Sequence, residues 1–229
     1  PLTPIVLSAE RLKRRFGPQI QDGHETYQTL LDTIIRQVDD LRRMVDEFSA
    51  FARMPRPVFR SERLEEIVRQ TMLLAEVANP GIRYSFEAPT ALPDFICDRR
   101  QIAQALTNLL KNAAEAVHAG NRDGTGDITI SILVDGQQLS IAVCDTGCGL
   151  PEELRERLFE PYVTTRDRGT GLGLAIVKRI VEDHHGRLEL LNRPEGGAIV
   201  RMRFDLPPAE TESRQPHVRA LPEPEVTEA

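Results

Sequence analysis

The sequence predicts an α+β protein in which an N-terminal α-helical hairpin precedes an α/β sandwich domain. Apolar residues recur at every third or fourth position through much of the first 52 residues, which is the period of amphipathic helices. Later segments such as residues 127–134 alternate apolar and polar residues, as half-buried strands do. Between the two regions lies the segment Met54–Pro57, whose two prolines end a helix and stiffen the junction.

Residues 1–53 are predicted to form two helices. The first covers residues 2–16, and Gly17 and Pro18 end it. The second covers about residues 25–52 and carries an apolar stripe of Leu30, Leu31, Ile34, Val38, Leu41, Val45 and Phe48. A single hairpin offers too little surface to bury this stripe, so we expect two copies to pair as a dimeric four-helix bundle. The alternative is a hairpin that folds back on the second domain.

Residues 54–60 are predicted to be a linker, and residues 61–206 a second domain whose first helix is capped by Ser61. Residues 207–229 contain five prolines and five glutamates and are predicted to be a disordered acidic tail. The pattern predicts an antiparallel sheet with helices on one face. Its elements are strands near 82–87 and 94–98, a helix over about 99–118, strands near 127–134 and 138–144, a helix through about His184, and strands near 187–192 and 198–205.

The composition is that of an ordinary soluble protein, and the net charge of −6 argues against general binding to nucleic acid. Cys97, Cys144 and Cys148 match no metal-binding pattern and cannot all pair, which favours a reduced, cytoplasmic setting. No apolar run approaches the ~20 residues of a membrane span. The chain begins at Pro1 without a methionine, so we expect a fragment, with any inner-membrane anchor of the parent protein upstream.

The first motif that carries chemistry is Asn108–Glu115, within the predicted helix over 99–118. At 100° per residue, Asn108, Asn112 and Glu115 share one face, with Lys111 at its edge and apolar residues opposite. Amide and carboxylate oxygens suit a hard ion such as magnesium, which also takes phosphate oxygens. The alternative is a face that meets only water, although asparagine is a weak helix former and a poor choice for that purpose.

Two glycine-rich motifs complete the candidate site. Asp145 follows a predicted strand and can accept a hydrogen bond from an exocyclic amine, while Gly147 and Gly149 allow close approach to a flat ring. Taken alone, this motif fits an ordinary Asp-x-Gly turn better than a ligand site. The second glycine-rich motif precedes a helix, so the backbone amides of its glycines can surround phosphate groups. Three residues upstream of this motif can reach the phosphates as well. The glycines are Gly169, Gly171 and Gly173, and the upstream residues are Thr164, Thr165 and Arg166.

In this order, the motifs resemble the ATP-binding domain of sensor histidine kinases, most closely the NtrY-type nitrogen-regulation class. Asn108–Glu115 resembles the N-box, Asp145–Gly149 the first glycine box, Leu158–Tyr162 the F-box and Gly169–Gly173, including Leu172, the second glycine box. The resemblance implies ATP and magnesium as cofactors, with Asn112 as the metal ligand and Asp145 as the partner of the adenine amine. It also implies that the hairpin forms a homodimer, carries the phosphoacceptor and meets a response regulator receiver domain.

The start of the chain resembles the end of a histidine box, H-E-x-x-N-P-L-T-P, in which the acceptor histidine lies five residues before Pro1. The resemblance therefore implies a protein histidine kinase whose present fragment does not autophosphorylate alone. Three other functions stay open. An ATPase clamp would need a water-activating glutamate where this chain has Asn108. A non-catalytic nucleotide-binding dimer or scaffold would keep the same boxes, and an anti-sigma serine kinase would lack the long hairpin.

Overall fold

The computed structural model describes residues 2–20, 23–121, 123–155, 157–164 and 169–206. The predicted acidic tail, residues 207–229, lies outside these ranges. Among the described residues, none of the helices has the length and apolarity needed to cross a membrane.

The hairpin consists of α1 (Thr3–Phe16) and α2 (His24–Ala52), joined through a short 3-10 turn at Gly17–Gln19. Both helices were predicted, and α2 begins at His24, one residue before the expected start. Lys13 Nζ pairs with Asp32 Oδ1 at 2.6 Å across the hairpin. Ala9, Leu31 and Val38 are buried, whereas most of the apolar stripe is exposed in the single chain: Leu30, Ile34, Leu41, Val45 and Phe48.

The described part of the second region contains a five-stranded sheet, a two-stranded ribbon and three α-helices, besides two short 3-10 turns. Its helices are α3 (Leu64–Ala78), α4 (Arg99–Gly120) and α5 (Gly173–Asp183). Its strands are β1 (Arg60–Glu62), β2 (Ile82–Glu87), β3 (Phe95–Cys97), β4 (Gly126–Asp135), β5 (Gln138–Asp145), β6 (Arg187–Asn192) and β7 (Ala198–Asp205).

The large sheet has the strand order β2-β4-β5-β7-β6, and it is mixed rather than antiparallel. β2 pairs with β4 in parallel, with Ile82 opposite Gly126, while the other neighbours run antiparallel. The long connection through β3 and α4 allows the parallel pairing, because parallel neighbours need a crossover of a dozen or more residues. Alternation of apolar residues marks a strand but carries no information about its direction, so the prediction was wrong on this point.

The prediction that Ser61 caps a helix was also wrong. Ser61 lies in β1, opposite Ile96 of β3, and its hydroxyl donates to Asp94 Oδ2 at 3.0 Å. Pairing with β3 keeps the backbone extended through Glu62, so α3 begins only at Leu64, after Arg63, without a side-chain cap.

The helices of the second region pack on one face of the sheet and form a continuous core with it. The inward residues of the central strands are almost fully buried, including Ile128, Ile130 and Ile132 of β4. Phe51 and Met54, at the end of α2 and the start of the linker, pack against the same core. The hairpin is therefore joined to the sheet region by apolar contacts as well as by the chain.

The linker is held by the start of α4. The Asp98 carboxylate caps α4 by accepting from the Arg100 and Gln101 amides, and its Oδ2 accepts from the Val58 amide at 2.9 Å. Gln101 Nε2 donates to the Pro55 carbonyl at 2.9 Å. These bonds fix the linker backbone against the sheet region, so the end of α2 has a defined position beside the core.

Candidate functional site

A cavity of about 960 Å³ lies between α4, the loop after β5, the segment before α5, and α2. Three separate sequence motifs meet in its wall, because β5 and α5 both pack against α4. The predicted site residues that line it are Asn108, Lys111, Asn112, Glu115, Asp145, Gly149, Thr164, Gly169, Gly171 and Gly173.

One end of the cavity is formed by the polar face of α4 and the first turn of α5. Asn108 and Asn112 are half-buried, whereas Leu106 and Leu110, on the opposite face of α4, are fully buried in the core. A methyl group on Gly173 would lie 3.6 Å from Asn112 Nδ2 and 4.0 Å from Asn108 Oδ1. The amino end of α5 therefore faces the two amide side chains, and unpaired helix amides favour an anion such as phosphate there.

Asp145 lies elsewhere in the cavity wall and is only 4% exposed. Its Oδ1 accepts hydrogen bonds from the Gly147 amide at 2.8 Å and the Ala198 amide at 3.3 Å. Apolar residues share the wall with it, namely Val143, Leu150, Ala198 and Val200. A carboxylate held by backbone amides in an apolar wall can select one hydrogen-bond donor on a flat ring.

Two predicted contact residues do not lie on the cavity wall. A Cβ on Gly147 would collide with the backbone carbonyl of Ala116, and the neighbouring Cys148 amide donates to that carbonyl oxygen at 3.1 Å. Gly147 thus permits close packing of the loop on α4, and its predicted close approach to a ring stays a prediction. The Leu172 side chain is fully buried in the core and does not line the cavity, so its predicted contact with a nucleotide stays a prediction.

A backbone hydrogen bond joins the end of the F-box to the second glycine box. The Tyr162 amide donates to the Gly171 carbonyl at 3.2 Å, and Leu158 is buried against the cavity. Thr165 and Arg166 lie outside the described residues, so their predicted contact with phosphates stays a prediction.

One side of the cavity is formed by α2, none of whose residues was predicted as part of the site, although a hairpin folded back on the second domain was the stated alternative. Six residues of α2 line the cavity: Thr33, Arg36, Gln37, Asp40, Leu41 and Met44. Their helical spacing matched an amphipathic helix but did not indicate which element the helix would face. Thr170 was also missed, although its position between two predicted glycines was a usable signal.

The donor set of this site fits magnesium, although no cluster of three His, Cys, Asp or Glu side chains suited to a metal occurs among the described residues. Asn112 supplies an amide oxygen at the end of the cavity that suits phosphate. Magnesium usually takes one or two protein ligands together with substrate phosphates and water, so a multidentate protein cage is not required.

Comparison with known proteins gives a family match and several similar proteins. Residues 97–208 match the family described as histidine kinase-, DNA gyrase B- and HSP90-like ATPases. The chain is similar to the nitrogen regulation protein NtrY of Azorhizobium caulinodans, with 55% identity over 205 residues, which cover 88% of this chain and 26% of that protein. It is also similar to the solved catalytic domain of histidine kinase ThkA, with 33% identity and a TM-score of 0.56, covering 65% of this chain and 95% of that one.

A longer structure of histidine kinase ThkA, in complex with the response regulator protein TrrA, matches with 25% identity and a TM-score of 0.67. The match covers 91% of this chain and 60% of that one, so it includes a helical region as well as the sheet. The chain spans about a quarter of the length of the NtrY relative.

Proposed function

The chain belongs to the histidine kinase-, DNA gyrase B- and HSP90-like ATPase family, and we propose that it is the transmitter part of an NtrY-type sensor histidine kinase. In this proposal it binds Mg-ATP and passes the γ-phosphoryl group to a histidine of the hairpin domain. The phosphoryl group then passes from that histidine to an aspartate of a response regulator.

One observation carries the proposal. A single cavity combines a buried carboxylate, Asp145, with the amino end of α5 facing Asn108 and Asn112. The carboxylate suits the adenine amine, and the helix end with its amides suits the phosphates. We therefore propose that ATP lies with its base against Asp145 and Leu150 and its phosphates against Gly173 and Asn112.

The residues at the phosphate end would act by holding and orienting the nucleotide. Asn112 would hold magnesium, which when bound neutralises phosphate charge. Lys111 adds a positive charge at the same wall. In the transfer step, a histidine nitrogen attacks the γ-phosphorus, the bond to the bridging oxygen breaks, and ADP leaves. Positioning and charge neutralisation supply most of the catalysis in such phosphoryl transfers.

Asn108 weighs against an ATPase clamp as the alternative. An amide lines the cavity one helical turn before Asn112, and an amide cannot remove a proton from water. This observation favours transfer of the phosphoryl group to a side chain over its transfer to water.

We further propose a division of the chain into a dimerisation and phosphoacceptor hairpin (1–53), a linker (54–60), an ATP-binding domain (61–206) and a tail (207–229). The exposed apolar residues of α1 and α2 support a homodimer through the hairpin, because an uncovered stripe of this length favours a second helical pair. The structure of ThkA in complex with a response regulator protein supports a response regulator as a partner of this chain, and we propose that its receiver domain meets the hairpin.

The test uses ATP labelled at the γ-phosphate, magnesium, and a separate helical hairpin of the same protein that carries the complete histidine box. We expect acid-labile label on that hairpin, and none when its histidine is replaced by glutamine. Tight ATP binding without label would instead support a nucleotide-binding scaffold. Failure to bind ATP would contradict the assignment of the cavity itself.

A further inference from the structure

The turn between β6 and β7 holds the loop that forms the base end of the cavity. Asn192, the last residue of β6, accepts a hydrogen bond from the Leu150 amide through Oδ1 at 2.7 Å. Its Nδ2 donates to the Leu150 carbonyl at 2.8 Å. The orientation of the Asn192 amide follows from these partners, since a flipped amide would place like groups together.

The same turn also fixes the other end of the loop. The Arg193 guanidinium donates to the Asp145 carbonyl at 3.0 Å, and the Ala198 amide donates to Asp145 Oδ1 at 3.3 Å. The loop from Asp145 to Leu150 is thus bound at both ends by the end of the β6–β7 hairpin. The Asn192 side chain itself is not part of the cavity wall, whereas Gly149, Leu150 and Pro151 are.

We infer that Asn192 is a positioning residue for the nucleotide base, an inference that rests on the proposed function. Its two hydrogen bonds hold the backbone of Leu150 in place relative to Asp145, and in this inference the spacing between the two residues defines the slot for a planar base. Asn108, Asn112 and Gly173 lie on α4 and α5, so the phosphate end does not depend on Asn192. Loss of Asn192 therefore weakens recognition of the base and leaves recognition of the phosphates intact.

The test compares the full chain with Asn192→Ala and Asn192→Asp. Asparagine to alanine removes both bonds, whereas aspartate keeps an acceptor for the Leu150 amide but sets a carboxylate oxygen against the Leu150 carbonyl. Asn79→Ala is the matched control, because Asn79 Nδ2 also donates to a backbone carbonyl, that of Ala75 at 3.0 Å, on α3. The probes are Mg-ATP and Mg-tripolyphosphate, the second of which can fill only the phosphate end.

We expect both Asn192 variants to raise the dissociation constant for Mg-ATP roughly five- to tenfold, as expected for the loss of one or two modest hydrogen bonds. The dissociation constant for Mg-tripolyphosphate, measured by competition, should change less than about twofold, and Asn79→Ala should match the wild type with both probes. Hydrogen exchange at the Leu150 amide should accelerate in Asn192→Ala.

Two results would overturn the inference while the proposed function stands. One is unchanged ATP affinity in both Asn192 variants. The other is an equal loss of ATP and tripolyphosphate affinity, which would mean that Asn192 only maintains the fold. If the wild-type chain bound neither probe, the proposed function would fail, and the inference with it.

Discussion

The backbone of Gly197 lies directly against the carbonyl group of Asp145, and a Cβ on Gly197 would overlap that oxygen. This contact joins the turn before β7 to the first residue of the glycine loop. Neighbouring Gly196 shares a positive φ, +99° against +89° for Gly197, but a Cβ there would meet nothing within 4 Å. Alanine substitutions at the two glycines therefore distinguish the destabilisation caused by a positive φ from the destabilisation caused by the steric overlap.

Gly197→Ala should lower the free energy of unfolding by about 2–4 kcal/mol, because the overlap adds to the strain of an alanine at positive φ. Gly196→Ala should cost only about 1–2 kcal/mol, from the angle alone. Urea unfolding of both variants measures the difference. An equal decrease in the free energy of unfolding of the two variants would show that small backbone shifts relieve the overlap between the Cβ of residue 197 and Asp145.

Asp145→Asn tests the base end of the cavity. The substitution keeps an oxygen that can accept from the Gly147 and Ala198 amides, so the loop should stay in place. A neutral amide is a weaker acceptor for the adenine amine, and hydrogen bonds to charged groups contribute about 1.5–3 kcal/mol. We expect the dissociation constant for ATP to rise roughly 10- to 100-fold in calorimetric titration, with little change in unfolding. An unchanged dissociation constant for ATP in Asp145→Asn would show that Asp145 does not bind the base.

Asn112→Ala tests the metal assignment. We expect magnesium to strengthen ATP binding to the wild type and to lose most of that effect in the variant, because the amide oxygen is the proposed metal ligand. Titrations of ATP with magnesium and with a chelator measure the effect. Asn112→Asp, which keeps an oxygen ligand, is the matched variant and should retain the dependence on magnesium. A full magnesium effect in Asn112→Ala would contradict the assignment.

His184 makes stability depend on pH. Its Nε2 accepts from the Asp98 amide at 3.0 Å, and its Nδ1 lies 2.8 Å from the Ile180 carbonyl, so the folded ring is neutral with its proton on Nδ1. Burial lowers the pKa of His184, although the Ile180 carbonyl, Asp98 and Asp183 oppose this effect. Below a pH of about 6.5, the unfolded histidine takes up a proton before the folded one does, so stability falls as the pH drops toward the folded pKa.

We expect the free energy of unfolding of the wild type to fall more between pH 7.5 and 5.5 than that of His184→Gln, whose side chain does not titrate. Asp98 does not interfere in this window. Burial raises the pKa of Asp98, but donors from Val58, Gln101 and Arg100 outweigh that effect and hold the pKa below its usual value. Its own stabilising effect is therefore lost only below about pH 4. Parallel pH curves for the two proteins would rule out the histidine effect.

Cys148 should report occupancy of the cavity. It is exposed and lines the cavity, whereas Cys97 is fully buried and burial raises the pKa of its thiol to about 12. Iodoacetamide should therefore alkylate Cys148 first, because the thiolate is the reactive form and must be accessible. Mg-ATP should slow that reaction roughly fivefold or more if the nucleotide covers the loop. Peptide mass spectrometry measures the rate, and Cys148→Ser identifies the labelled site.

The sequence by itself determined the kind and order of most elements. The period of Ile128, Ile130 and Ile132 marked β4, and the two faces of α4 separated Asn108 and Asn112 from Leu106 and Leu110. These patterns are local, because each residue's face follows from its position in a helix or strand. The same reasoning found most of the residues that now line the cavity.

Only the tertiary structure decided which faces meet. Four of these contacts join residues that are far apart in the chain. They are the parallel pairing of β2 with β4, the packing of Gly147 on Ala116, the position of α2 beside the cavity, and the bonds of Asn192 to Leu150. A local period shows that a face is apolar or polar, but the partner of that face depends on how all the layers pack at once. For that reason the sequence identified most residues of the site, whereas the tertiary structure determined which other residues hold them in place.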